Sequence, residues 1–93
     1  MKLIEDVEEL KKFKGKIFKH FKGDLYLLLD IVEHTETGED LAIYKALYGD
    51  CKVYARPATM FISPVDRVKY PYAEQFNRFE LVTVENKKQI TRG

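Results

Sequence analysis

Two histidines, His20 and His34, lie in short polar stretches that also hold Lys22 and Glu36, and Arg56 follows further along the chain. An imidazole exchanges a proton near neutral pH, and a carboxylate beside it can orient it. His20 or His34 with Glu36 would then make a small hydrolase-like acid–base pair, but no third group that would orient such a pair can be read from the spacing. A metal site from His20, His34 and Glu33 or Glu36 lacks the usual ligand spacings and a second cysteine. Cys51 with a histidine would be a nucleophilic pair, but a small apolar residue opening a strand is the plainer reading, since its neighbour Lys52 would point to the opposite face. No phosphate-binding loop, dinucleotide fingerprint or nucleophile elbow occurs. The sequence therefore assigns no catalytic residue, no metal ligand and no cofactor.

Binding of an anion is better served. Residues 11–22 place Lys11, Lys12, Lys14, Lys16, Lys19 and Lys22 among Phe13, Phe18 and Phe21, with no acid between them. Ammonium groups on phosphates with aromatic stacking would grip a single nucleic-acid strand without reading its sequence. The plainer alternative turns the Phe rings into the core and leaves the Lys heads in water, and a net charge of +1 with few Arg favours it. Arg56 is followed by Pro57, so a strand ends there and presents a guanidinium fork either to an external oxyanion or to an acid of the same chain. Tyr26, Tyr44, Tyr48 and Tyr54 all fall in strand-like stretches, where they serve sheet packing or a planar ligand. The candidate ligand-binding set is His20, Lys22, His34, Glu36, Tyr44, Tyr48 and Arg56.

The elements that must position these groups follow from pattern. A chain of 93 residues, 45% apolar and 33% charged, is one soluble globular domain, spanning 1–93. A single cysteine forbids an internal disulfide and fits a reducing compartment, and no apolar run spans a bilayer, so a cytoplasmic protein without membrane attachment is expected. Leu3, Ile4, Val7 and Leu10 follow helical spacing, with acids ahead of Lys11 and Lys12, which predicts a helix over 2–13. A β core over about 15–84 follows, and 85–93 is a polar tail.

Within that core, Lys16 to Phe21 alternates, Leu25 to Thr35 is a long strand, and Glu36-Thr37-Gly38-Glu39 is a hairpin turn with Gly38 at positive φ. Asp40 to Tyr48 returns, Cys51 to Arg56 and Asn77 to Val84 are further strands, and Ala58 to Met60 is a short turn. Centring the hairpin on Thr37-Gly38 pairs Val32 with Ile43, Asp30 with Lys45 and Leu28 with Leu47. Both faces of such a hairpin are apolar and need cover, one from curling of the sheet and the other from the helix or a second subunit. Tyr70-Pro71-Tyr72 would add an exposed aromatic patch.

The ordered set His20-Phe-Lys22-Gly23, Tyr26, His34-Thr35-Glu36-Thr37, Tyr44, Leu47-Tyr48, Arg56-Pro57 and Met60-Phe61 resembles a family of short bacterial proteins of unknown function, DUF1653, over roughly residues 15–82. The resemblance implies a compact, mostly β fold of SH3-like barrel character and no catalytic residue. The N-terminal helix with its Lys run departs from it and reads as an extension of the core.

The expected architecture is thus a small curved antiparallel sheet or barrel of five to six strands with one N-terminal helix. The expected function is non-catalytic binding of an anionic ligand: nucleic acid, a nucleotide or an acidic segment. Protein–protein contact or homodimer formation through the second hairpin face is the alternative.

Overall fold

The computed structural model describes residues 3–83. Chain order is α1 (Val7–Leu10), running into a 3₁₀ turn (Lys11–Phe13), then β1 (Ile17–His20), β2 (Leu25–Glu33), β3 (Asp40–Ala46), β4 (Val53–Pro57), α2 (Ala58–Phe61) and β5 (Phe79–Leu81). The five strands form one antiparallel sheet in the order β4-β3-β2-β1-β5. The fold is mostly β with one short N-terminal helix, as expected. The sheet is open along its ladders but curls, because Arg56 of the β4 edge lies with its guanidinium carbon 5.8 Å from the ring centroid of Phe79 on the β5 edge.

The helix begins at Val7, not at residue 2. Asp6 is its N-cap in extended conformation, its carboxylate accepts the Glu9 N–H at 2.8 Å, and Glu9 in turn accepts the N–H of Glu5 at 3.1 Å. That reciprocal exchange satisfies helix-end donors and fixes the start. Leu3 to Glu5 stay non-helical and drop Ile4 into the core, where Leu10 joins it fully buried. The segment read as an extension is therefore part of the core. The tail expected at 85–93 lies outside the described residues.

The core is aromatic. Phe61 stacks on Phe79 with centroids 4.2 Å apart and planes 5° from parallel, and Phe18, Tyr44 and Tyr26 meet these rings edge-on. Buried rings of this size dominate core energetics, and edge-on pairs add to area burial. Phe18 is the inward residue of β1, and Ile17 is exposed.

The hairpin register differs from the one expected. Val32 pairs with Leu41 and Asp30 with Ile43, and a bulge at Leu29 then sets Leu28 against Tyr44 and Tyr26 against Ala46. An extra residue reverses the in–out alternation beyond it. Ile31 faces inward on one side of the bulge, and Leu28 and Tyr26 face inward on the other, all meeting Ala42, Tyr44 and Ala46 of β3. β4 starts at Val53, so Cys51 is not a strand residue. It is exposed in the preceding turn at φ 56°. The last strand is short, Phe79–Leu81, and the turn after Pro57 is one turn of α-helix.

Candidate functional site

The curl creates a cleft of about 290 Å³ between the two sheet edges, lined by His20, Phe21, Lys22, Arg56, Asp66, Lys69, Tyr70 and Arg78. One wall is the β1–β2 turn. The Asp24 carbonyl accepts the His20 N–H at 2.8 Å and the His20 carbonyl accepts the Gly23 N–H at 2.8 Å, with Gly23 at φ 110°, where an L side chain is strained. The Phe21 N–H, donated to the Arg78 carbonyl at 3.0 Å, ties this turn to the chain entering β5.

Within the turn, the Lys22 N–H is donated to Nδ1 of His20 at 3.1 Å. This makes Nδ1 an acceptor and leaves the proton of the neutral ring on Nε2. The imidazole packs against Phe21 at 4.5 Å and Phe79 at 4.9 Å between centroids. Burial, then the positive charges of Arg56, Lys22 and Arg78, hold its pKa below the ordinary 6.5.

The opposite wall is the loop 66–76. Oδ1 of Asp66 accepts the N–H groups of Val68 at 3.0 Å and Lys69 at 3.2 Å, so this acid is committed to shaping its own turn. The Arg67 guanidinium donates to the carbonyls of Ala73 and Gln75 and staples the loop. Tyr70 packs on Phe21 at 4.9 Å and carries the Lys22 ammonium 5.0 Å and the Lys69 ammonium 5.6 Å from its centroid. Its phenol is lowered from the ordinary value, chiefly by the Lys22 ammonium. Tyr70 is thus a wall of the cleft, while Tyr72 is 93% exposed, so the two do not form one patch.

The two arginines are held alike. Nε of Arg56 donates to the Tyr44 hydroxyl at 3.1 Å, and Nε of Arg78 donates to the Ser63 hydroxyl at 3.4 Å, which itself donates to the Met60 carbonyl at 2.7 Å. Among the described residues, neither guanidinium makes another hydrogen bond, and none of Lys22, Arg56, Lys69 and Arg78 has a carboxylate partner within 4.0 Å. Four permanent cations around one concavity lacking paired acids raise its local potential and favour a negative guest.

Of the sequence-predicted set, His20, Lys22 and Arg56 come together at the cleft. Tyr44 lies beneath them, 5% exposed, and fixes Arg56. Tyr48 does not line the cleft; its hydroxyl is 2.6 Å from that of Tyr26, whose pKa is raised by burial and then by this bond. His34 and Glu36 belong to the β2–β3 turn at the far end of β2, roughly 30 Å away by strand rise. There Nδ1 of His34 accepts the N–H groups of Glu36 and Thr37 at 3.1 and 3.3 Å. Phe21, Lys69, Tyr70 and Arg78 are cleft residues outside the candidate set: Phe21 reads with the Lys run and Tyr70 with an aromatic patch, the scarcity of Arg is the one signal for Arg78, and nothing in the sequence points to Lys69.

Within the Lys run, Lys11 pairs with Glu8 at 2.9 Å and Lys14 with Asp30 at 3.4 Å, and Phe18 is buried and so unable to stack on a ligand. Among the described residues, no group of three or more His, Cys, Asp and Glu side chains is placed to hold a metal ion, and no helix is long and apolar enough to cross a membrane.

The sequence profile of the family described as protein of unknown function (DUF1653) matches residues 16–81. The crystal structure of a protein of that same family from Bordetella bronchiseptica is similar, with a TM-score of 0.63 and 27% identity over 82% of this chain and 95% of that one. No functionally curated protein matches.

Proposed function

The chain belongs to the DUF1653 family, and we propose that it is a non-catalytic binding module whose cleft takes an anionic ligand. The observation that carries this reading is the cleft itself: Lys22, Arg56, Lys69 and Arg78 converge on it with no ion-paired acid among the described residues. Unpaired cations gathered against aromatic walls attract a guest of opposite charge, and fixed guanidinium forks recognise oxyanions in two-point fashion. His20 adds a neutral N–H donor at the wall. A chemical-shift titration of the ¹⁵N-labelled protein with sulfate, nucleotide and short RNA tests it. Shifts confined to residues 20–24, 56, 66–70 and 78, weakened in Lys22→Ala and Arg56→Ala, are expected. Shifts scattered over the surface, or unchanged in both variants, would sink the assignment.

A second reading, self-association, is favoured by the outer face of the sheet. Ile17, Leu25, Leu29, Val32 and Val53 are all more than a third exposed there, and no described element covers them. α1 and α2 both contribute to the inner core instead. Clustered exposed apolar groups of this kind mark interaction surfaces. A second copy in face-to-face packing would be dispersed to monomer by Leu25→Lys or Val53→Lys in sedimentation analysis; an unchanged monomer in the wild type removes this reading.

A further inference from the structure

We infer that the cleft selects a compact, multiply charged phosphate group, such as the terminal phosphate or pyrophosphate of a small molecule, over the backbone of a nucleic-acid strand. The inference rests on the proposed anion-binding role of the cleft and narrows its ligand. Each arginine is tethered through Nε alone, Arg56 to Tyr44 and Arg78 to Ser63. Tethering at Nε leaves the end-on edge, Nη1 with Nη2, as the free donor pair, which is the edge that grips two oxygens of one oxyanion. Arg56 comes from the β4 edge and Arg78 from the approach to the β5 edge, and both line the cleft. Two forks from separate elements suit a tetrahedral group with a pair of oxygens for each.

Charge density points the same way. Four cations, Lys22, Arg56, Lys69 and Arg78, less one carboxylate, Asp66, leave +3 in a cleft of about 290 Å³ with His20 neutral. A phosphodiester strand brings one negative charge per nucleotide, spread along its length, whereas a terminal phosphate approaches two at one point. The volume falls near the lower end of small-molecule sites. A strand leaving the cleft also meets acids. The adjoining concavity sets Glu74 and Glu80 beside Lys19 and Lys22, and on the Lys run Lys11 and Lys14 are paired with Glu8 and Asp30.

The test is calorimetric titration of the full chain, at one ionic strength, with inorganic pyrophosphate, inorganic phosphate and a ten-residue oligothymidylate. Pyrophosphate is expected to bind one to one, more tightly than phosphate and at least tenfold more tightly than the oligonucleotide. Arg56→Lys and Arg78→Lys keep the charge and remove the fork, and each is expected to weaken pyrophosphate at least fivefold while thermal unfolding shows a folded protein. Should one of them fail to fold, the other carries the test. Oligonucleotide binding as tight as pyrophosphate overturns the selectivity and leaves the anion site standing. Unchanged pyrophosphate affinity in a folded Lys variant overturns the two-fork geometry. No binding of any of the three overturns both the inference and the proposed function beneath it.

Discussion

The chain builds nearly the same turn twice. After β1, Nδ1 of His20 accepts the N–H of the residue two positions on; after β2, Nδ1 of His34 does the same, both at 3.1 Å, and each turn has a glycine at positive φ, Gly23 or Gly38. What surrounds them differs. The first packs against the rings of Phe21 and Phe79, facing four cations without paired acids among the described residues. The second stands at the end of a hairpin among Glu33, Glu36 and Glu39, with Glu36 3.8 Å from its imidazole. A shared local motif therefore fixes a shape, and tertiary neighbours decide what that shape faces. The difference arises from the curl, which folds the β4 and β5 edges over the first turn only.

The comparison breaks most visibly through the floor of the first turn. Phe79→Ala removes the ring under His20 and Arg56, and is expected to cost about 3–5 kcal/mol in chemical denaturation, as large-to-small changes at buried aromatics do. Thr37→Ala in the second turn loses only exposed hydrogen bonds and is expected to stay within about 1 kcal/mol. Next in size, Arg56→Ala should weaken pyrophosphate at least tenfold, about 1.4 kcal/mol, by losing a charge-assisted fork. Glu36→Ala and His34→Ala should leave that affinity unchanged in the same titration.

The resemblance of the turns can be sharpened by Gly23→Ala and Gly38→Ala. Both positions have open space or ordinary contact for a Cβ but a backbone that disfavours one. Each should cost about 1 kcal/mol in melting or denaturant experiments, and similar costs would show that the turns are equivalent as backbone.

The smallest effect is the pH response of His20. Its folded pKa lies below the ordinary 6.5, so the unfolded chain binds the proton more readily. Stability is therefore full above the unfolded value and falls as pH drops below it, levelling off once the folded ring also protonates. Protonation also ends the acceptor role of Nδ1 toward Lys22. In urea melts from pH 8 to 5, His20→Gln should flatten this slope relative to wild type; an equal slope in the variant would place the effect elsewhere.

Much of the fold was open to reading. Alternation and turn residues located β1, β2 and β3, and Pro57 marked the end of β4. The capping pair Asp6 and Glu9 was also present in the sequence, and it outweighs the apolar spacing that suggested a longer helix. The bulge at Leu29 was not readable. Leu25 to Leu29 are apolar in succession, so no alternation marks where in and out exchange; the pairing nearer the turn differs for another reason, because the hairpin centres between Glu36 and Thr37 rather than on Thr37-Gly38.

The site divided along the same line. His20 and Lys22 share one turn, and Arg56 was singled out by the proline after it. Arg78 and Lys69 lie in the irregular stretch between α2 and β5, and only the curl brings them to the cleft. His34 and Glu36 entered the candidate set for their acid–base chemistry and their place in the ordered family motifs, and local sequence carries no sign that the fold sets them apart from the cleft.

The most direct measurement compares pyrophosphate binding by the wild-type protein and by the Arg56→Ala, Arg78→Ala double variant, each verified as folded by circular dichroism. Saturable one-site binding that disappears in the variant is the predicted result. Equal affinity in the two proteins would contradict the claim that the cleft between the sheet edges is an anion site.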